Sequence, residues 1–285
     1  MKSYTGKKLG LALGSGGARG FAHIALLDFL DEKKIKPSFI TGSSMGAVMG
    51  AAYALTGSSR AVKKMTHHFI SHQKKKIDFL IKSVEGKSSL TDQFEIARRT
   101  TVNLSVMEEN YIYNMLSLIF GKAKFKHTKI PFGAVATDWK TGNCELIDSG
   151  YIVDAVCASS SIPGPFHPVR LGSTRFLDGG VVRVVPVIEA LQMGADEVIG
   201  SDVSFPERKS NFKNTMDLIG YINSIKTERL LYSDLKDARY KIYFHEMEMP
   251  WYRFDLFNEI IRNSKQILNN IFEKELNRIS LTYCI

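Results

Sequence analysis

The chain has little of what would take a 285-residue protein out of the ordinary globular classes. Its three cysteines, Cys144, Cys157 and Cys284, lie far apart without metal-ligand spacing. That excludes a disulfide framework and a thiolate metal site, and points to a reducing cytosolic compartment. Long apolar runs are also missing. The longest, around Ala47–Leu55, falls far short of the roughly 20 residues a membrane span needs. The N-terminus lacks the apolar core of a secretion signal, so a soluble, unprocessed protein is expected. Zinc-finger spacing, an RNP-type aromatic motif and a basic recognition helix are absent as well, and no nucleic-acid partner is expected.

Negative charge is the scarcer sign, with 29 Asp and Glu against 38 Lys and Arg, a net charge of +9. The excess is concentrated: Arg60, Lys63, Lys64, Lys74, Lys75, Lys76, Lys82 and Lys87 face only Asp78 and Glu85, and Lys122, Lys124, Lys126 and Lys129 follow. Two readings stand, a surface that approaches an anionic membrane at its cytoplasmic face and a solvated helix face. With 44% hydrophobic residues the chain can fill a two-sided sheet core, as one large α/β domain or one domain with a helical appendage.

What is present begins with Gly42-Ser43-Ser44-Met45-Gly46, a G-x-S-x-G pentapeptide between the apolar segment Phe39-Ile40-Thr41 and the small-residue helix Ala47–Leu55. A strand turning this sharply into a helix brings its two arms together. The flanking glycines remove clashing side chains, and Ser44 is left exposed at a helix N-terminus. The same residues could form an ordinary Ser/Gly loop with Ser43 or Ser44 as an N-cap. Upstream, the apolar strand 8–13 ends in Gly14-Ser15-Gly16-Gly17-Ala18-Arg19-Gly20. A helix follows whose Ala22, Ala25, Leu26, Phe29 and Leu30 keep helical spacing. Strand, loop, helix and strand make a βαβ unit, so both loops leave the same edge of a parallel sheet, where sites form in such folds.

Residues 60–130 read as helices with polar connections at Gly86 and Gly121. Strands resume at 131–137 and 143–147, followed by a short helix, Tyr151–Ala158, and a rigid loop, Ser159–Pro165. A hairpin at 166–177 ends in Asp178-Gly179-Gly180, where two glycines leave a carboxylate free to meet a neighbouring loop; an ordinary Asp-Gly turn would look the same. A helix over 186–193 and a strand over 197–202 close the sheet on this reading. Residues 207–240 are polar and partly helical, and Phe257, Ile260, Ile261, Leu268, Ile271 and Phe272 mark an amphipathic last helix, expected to cover the core, with membrane binding as the alternative.

Taken in order, the glycine loop, the elbow, the Ser161–Val169 run (Ser-Ile-Pro-Gly-Pro-Phe-His-Pro-Val) and Asp178-Gly179-Gly180 resemble the patatin-like phospholipases, especially bacterial ones, over about residues 8–203. Weaker similarity extends to Trp251–Asp255 and the last helix. The resemblance implies a three-layer α/β/α fold with a central, mostly parallel sheet and a C-terminal helical extension. It implies a catalytic domain over 1–205 with a helical insertion at about 60–130, and a mainly helical region, 206–285, packed on it. It further implies a Ser-Asp dyad, Ser44 as nucleophile and Asp178 as base, and an oxyanion hole from the loop at Gly16, Gly17, Ala18 and Arg19. The expected substrate is a lipid or other acyl ester, with no cofactor and no metal.

Two positions depart from the family pattern: Ser15 stands where a glycine is common, and Arg183 where an Asn often follows Asp-Gly-Gly and two apolar residues. Other readings remain at this point. These are a soluble short-chain esterase or thioesterase with the same dyad, a triad using His245, a membrane-binding module without turnover, and a nucleotide-binding module. The last lacks both the Gly-Lys-Ser/Thr ending and the final glycine of G-x-G-x-x-G. His23 reads as a helix residue near the glycine loop, and His67, His68 and His72 belong to the basic region without metal spacing.

Overall fold

The computed structural model describes residues 6–204, 211–212, 215–245 and 249–272. β1 (Leu9–Leu13) leads through a 3-10 turn, Gly17–Phe21, into α1 (Ala22–Glu32) and β2 (Phe39–Ser43). The helices α2 (Met45–Thr56), α3 (Ser59–His72), α4 (Lys74–Val84), α5 (Leu90–Val102) and α6 (Tyr111–Phe120) then precede β3 (Phe132–Asp138) and β4 (Cys144–Ile147). α7 (Ile152–Ser159), β5 (Val169–Leu171), β6 (Thr174–Asp178), α8 (Val187–Gln192) and β7 (Glu197–Asp202) follow. α9 (Thr215–Asp234), β8 (Tyr240–Tyr243) and α10 (Phe257–Phe272) complete the order.

The sheet runs β5-β6-β3-β2-β1-β7-β8, with β4 paired to β3. Its centre, from β3 through β8, is parallel, while β4, β6 and β5 join antiparallel at one side. Because successive side chains on a strand point to opposite faces, each central strand feeds two cores. Leu9, Leu11 and Leu13 of β1 and Ile199 of β7 join the cluster built with α1, α2, α6, α7 and α10. Ala12 and Val198, one residue out of phase, join the smaller cluster with α8 and α9. The result is the three-layer arrangement expected from the sequence.

α10 covers the larger core as its amphipathic pattern predicts. Phe257, Ile260, Ile261 and Leu268 are buried, and the Phe257 ring meets Phe21 edge-on at 5.0 Å. Such a pair contributes about 0.5–1.5 kcal/mol beyond its buried area. The side chains of Ile271 and Phe272 lie outside what is described, as does Cys284.

One expectation is corrected. The sheet does not end at Asp202: β8 pairs parallel with β7, Ile199 opposite Tyr240 and Asp202 opposite Tyr243. The strand has only four residues and buries one face, Tyr240 and Ile242, leaving Lys241 and Tyr243 exposed. So short an edge strand, after a polar segment, offers almost no periodic signal. The region beyond residue 205 therefore contributes to the sheet as well as covering it with helices.

Candidate active site

Opposite Leu13 in the register of β1 and β2 stands Gly42, so the glycine loop and the elbow emerge side by side. Ser44 takes up φ 53°, ψ −119°, a region that L residues rarely adopt and that costs of order 1–3 kcal/mol. The turn is that tight because both neighbouring glycines are needed. A Cβ on Gly42 would lie 2.5 Å from the Ala47 backbone, and one on Gly46 would lie 2.1 Å from the Leu13 carbonyl oxygen. The main-chain N–H of Ser44 donates to Ser159 Oγ at 2.9 Å, at the C-terminal end of α7.

The Ser44 hydroxyl donates to Asp178 Oδ2 at 2.6 Å, and both residues are buried. Asp178 is the last residue of β6. Its N–H donates to the Ser161 carbonyl, its carbonyl accepts from Thr137 Oγ1, and its Oδ1 accepts from Gly180 N at 2.7 Å. Burial pushes the carboxyl up to about 6, against the opposing pull of the hydrogen bonds from Ser44 and Gly180. Close approach explains the glycines after it: a Cβ on Gly179 would lie 2.3 Å from the Val135 carbonyl oxygen. The structure thus brings together Ser44 and Asp178, 134 residues apart in the chain.

The glycine loop lies beside them, with Gly17 and Ser44 lining one cavity. Gly14 N–H donates to the Ser201 carbonyl and Ser15 N–H to the Val184 carbonyl, which fixes the loop's entry. His23 braces it from below, one ring nitrogen 2.9 Å from the Gly14 carbonyl and the other 3.1 Å from Ser201 Oγ. Burial lowers this imidazole to about 4, so it is neutral and structural. In the sequence His23 is marked only by its place in a helix near the loop, and nothing there signals this role. The Ala18 N–H is engaged by the Trp251 carbonyl at 2.7 Å, and Gly17, at φ 59°, admits that carbonyl where a Cβ would sit 2.5 Å away. Arg19 turns from Ser44 toward a second, polar pocket with Ser204, Glu228 and His245, its Nε 3.4 Å from the Gly16 carbonyl.

Both departures from the family pattern have local partners. Ser15 packs on Gly180, where a Cβ would meet Ser15 Oγ at 2.7 Å. The Arg183 guanidinium donates to Glu189 Oε1 at 2.8 Å and Asp234 Oδ1 at 2.7 Å, while Asp234 Oδ2 accepts from the N–H groups of Val184 and Val185. Arg183 thereby pins the turn after Asp178 to α8 and α9.

Above Ser44 opens a cavity of about 660 Å³, its mouth included, walled by apolar side chains such as Val48, Met49, Phe69, Ile112, Leu116 and Phe166. His245 does not complete a triad: it pairs with Asp202 at the end of β7, two strands from β2. The thiols of Cys144 and Cys157 are raised to about 12, in both cases chiefly by burial, which disfavours the thiolate. The basic residues of α3 and α4 are exposed, and among them Phe79 and Val84 also face outward. Lys76 lies 5.2 Å above the ring of Tyr111, which stacks on the cavity residue Phe166. No helix among the described residues is long and apolar enough to cross a membrane.

The amino-acid sequence has recognisable relatives. A family model described as patatin-like phospholipase matches residues 11–191. A putative patatin-like phospholipase domain-containing protein of Caenorhabditis elegans is 26% identical over 213 residues, 74% of this chain and 18% of that one. An uncharacterized NTE family protein of Mycobacterium bovis is 30% identical over 203 residues, 70% of this chain and 50% of the relative. Lysophospholipase NTE1 of Pyricularia oryzae is 27% identical over 198 residues, 70% of this chain and 12% of the enzyme. The chain thus spans half or less of the length of these relatives.

Proposed function

Because the chain belongs to the patatin-like phospholipase family, we propose that it is a serine acyl hydrolase that cleaves acyl ester bonds of phospholipids or lysophospholipids through the pair Ser44 and Asp178. The observation that carries this reading is the 2.6 Å bond from Ser44 Oγ to a buried carboxylate, at the foot of an apolar cavity. Ser44 Oγ attacks the ester carbonyl carbon while Asp178 accepts its proton; the proton then passes to the departing alkoxide oxygen, leaving an acyl-serine. Water attacks that ester in turn, with Asp178 taking a proton and returning it to Ser44. A carboxylate is a weak base toward serine in water, and burial is what raises Asp178 toward usefulness.

The loop at Gly16, Gly17, Ala18 and Arg19 is the proposed oxyanion hole, each main-chain donor contributing on the order of 3 kcal/mol. The amide of Ala18 serves only in a conformation from which the Trp251 carbonyl has withdrawn. The apolar depth of the cavity favours a fatty acyl chain over a short-chain ester or a soluble thioester. A peripheral approach to anionic membrane at its cytoplasmic face is supported by the exposed lysines of α3 and α4 with Phe79 and Val84 among them.

The test is fluorophosphonate labelling of wild type, Ser44→Ala and Asp178→Asn, with turnover of a lipid panel graded by chain length and head group. Labelling of Ser44→Ala, or full turnover by Asp178→Asn, would overturn the pair. Sedimentation with vesicles with and without phosphatidylserine tests the membrane reading, and equal binding to both overturns it.

A further inference from the structure

Ser44 owes its strained backbone to more than the two glycines. Its N–H lies at the exit of β2, beyond Ser43, the last residue of that strand in register with β3. A buried N–H left unpaired there would favour relaxation of the turn toward an ordinary backbone conformation. The partner is a side chain: Ser159 Oγ, fully buried at the end of α7, accepts it at 2.9 Å. α7 is in turn held between α2, β3 and β6, and the next two residues lead to Ser161, whose carbonyl binds Asp178 N–H. One short segment therefore holds the main chain of both members of the pair.

We propose that Ser159 is a positioning residue for the ester hydrolysis assigned above, its hydroxyl fixing the main chain of Ser44 so that Oγ stays in register with Asp178 Oδ2. The inference rests on the Ser44–Asp178 reading and deepens it. Ser159 touches no substrate and transfers no proton. Its effect is to keep the nucleophile within hydrogen-bonding reach of its base, where a misplacement of about 1 Å can cost on the order of 100-fold.

Removing the hydroxyl has a consequence that a general loss of stability lacks. The hydrogen bond from Ser44 is one of two influences that lower the pKa of Asp178 against its burial, the other being Gly180 N–H. If Ser44 drifts away, the carboxyl is left buried with less support, and it titrates at higher pH. The acidic limb of kcat/KM then moves toward alkaline pH.

The experiment is the pH profile of ester turnover and the rate of fluorophosphonate labelling for wild type, Ser159→Ala and Ser159→Cys, with folding checked by circular dichroism. For Ser159→Ala we expect kcat to fall about 10- to 100-fold with KM within about threefold, labelling to slow in step, and the acidic midpoint to rise. Ser159→Cys, a weaker acceptor, falls between and carries the test should the alanine variant not fold. Unchanged kcat, or a loss with the midpoint unmoved, overturns the proposal. Ser44→Ala and Asp178→Asn run alongside: labelling of the first, or full turnover by the second, overturns the pair itself, a failure separate from that of Ser159.

Discussion

Replacing Asp178 by Asn should make the protein inactive and more stable at the same time. In the folded chain the carboxyl titrates at about 6, whereas in an unfolded chain the value is about 3.9. The native state thus holds the proton more tightly than the unfolded state, and ionising Asp178 weakens the fold. The penalty is absent below pH 3.9, grows between the two values and is complete above about 6, where roughly two units amount to about 3 kcal/mol. Asn has no proton to lose. Its oxygen can still accept from Gly180 N–H, and its NH2 group can donate to Ser44 Oγ, so the packing survives while the proposed base is gone. Stability at pH 8 should rise by up to about 3 kcal/mol, roughly 5 °C in Tm for a chain of this size. Turnover should fall by about 100- to 10,000-fold. Thermal unfolding followed from pH 3 to 8 tests this: the gain of the variant must shrink on acidification and vanish near pH 3. A variant less stable than wild type at pH 8, or a gain independent of pH, would refute the argument that burial of this charge is what tunes the base.

Three further outcomes follow from the same geometry. Since Asp178 must be ionised to take a proton, kcat/KM should rise with pH around a midpoint near 6. It should lose about tenfold between pH 8 and pH 5, where a carboxylate of ordinary acidity would lose almost nothing; a flat acidic limb contradicts the assignment. Gly46→Ala places a Cβ against the Leu13 carbonyl oxygen, so fluorophosphonate labelling should be abolished or the fold lost, and wild-type labelling would contradict the elbow geometry. Arg183→Ala leaves the buried carboxylates of Glu189 and Asp234 without their cation and should destabilise by about 3–5 kcal/mol in denaturant titration, whereas a change below about 1 kcal/mol would show that the cluster is not a structural tie.

Much of this site is legible in the sequence because close approach of main chains leaves glycine as its trace. Gly42 and Gly46 bracket Ser44, Gly179 follows Asp178, and each occupies a place where a Cβ would meet backbone. Spacing of Leu9, Leu11 and Leu13 likewise marks the strand that carries the glycine loop, since all three fall on one face of the sheet. β8 left no comparable trace: its alternation spans four residues, Tyr240 to Tyr243, too few to separate an edge strand from a turn.

The contacts that escaped the sequence are those whose partners no letter distinguishes. Ser159, Ser160 and Ser161 are identical letters. Yet the first hydroxyl accepts from Ser44 N–H, the third donates to the Ala158 carbonyl, and the second, on the cavity wall, has no partner among the described residues. Nothing in a serine run tells these positions apart, because the difference lies in where α7 stops relative to the end of β2. The Trp251 carbonyl on Ala18 N–H is further removed still, since a main-chain acceptor has no side-chain identity to read. Its one mark is Gly17, whose missing Cβ makes room for it. A glycine that the motif assigns to an oxyanion therefore answers a second demand as well, the close approach of the Trp251 carbonyl.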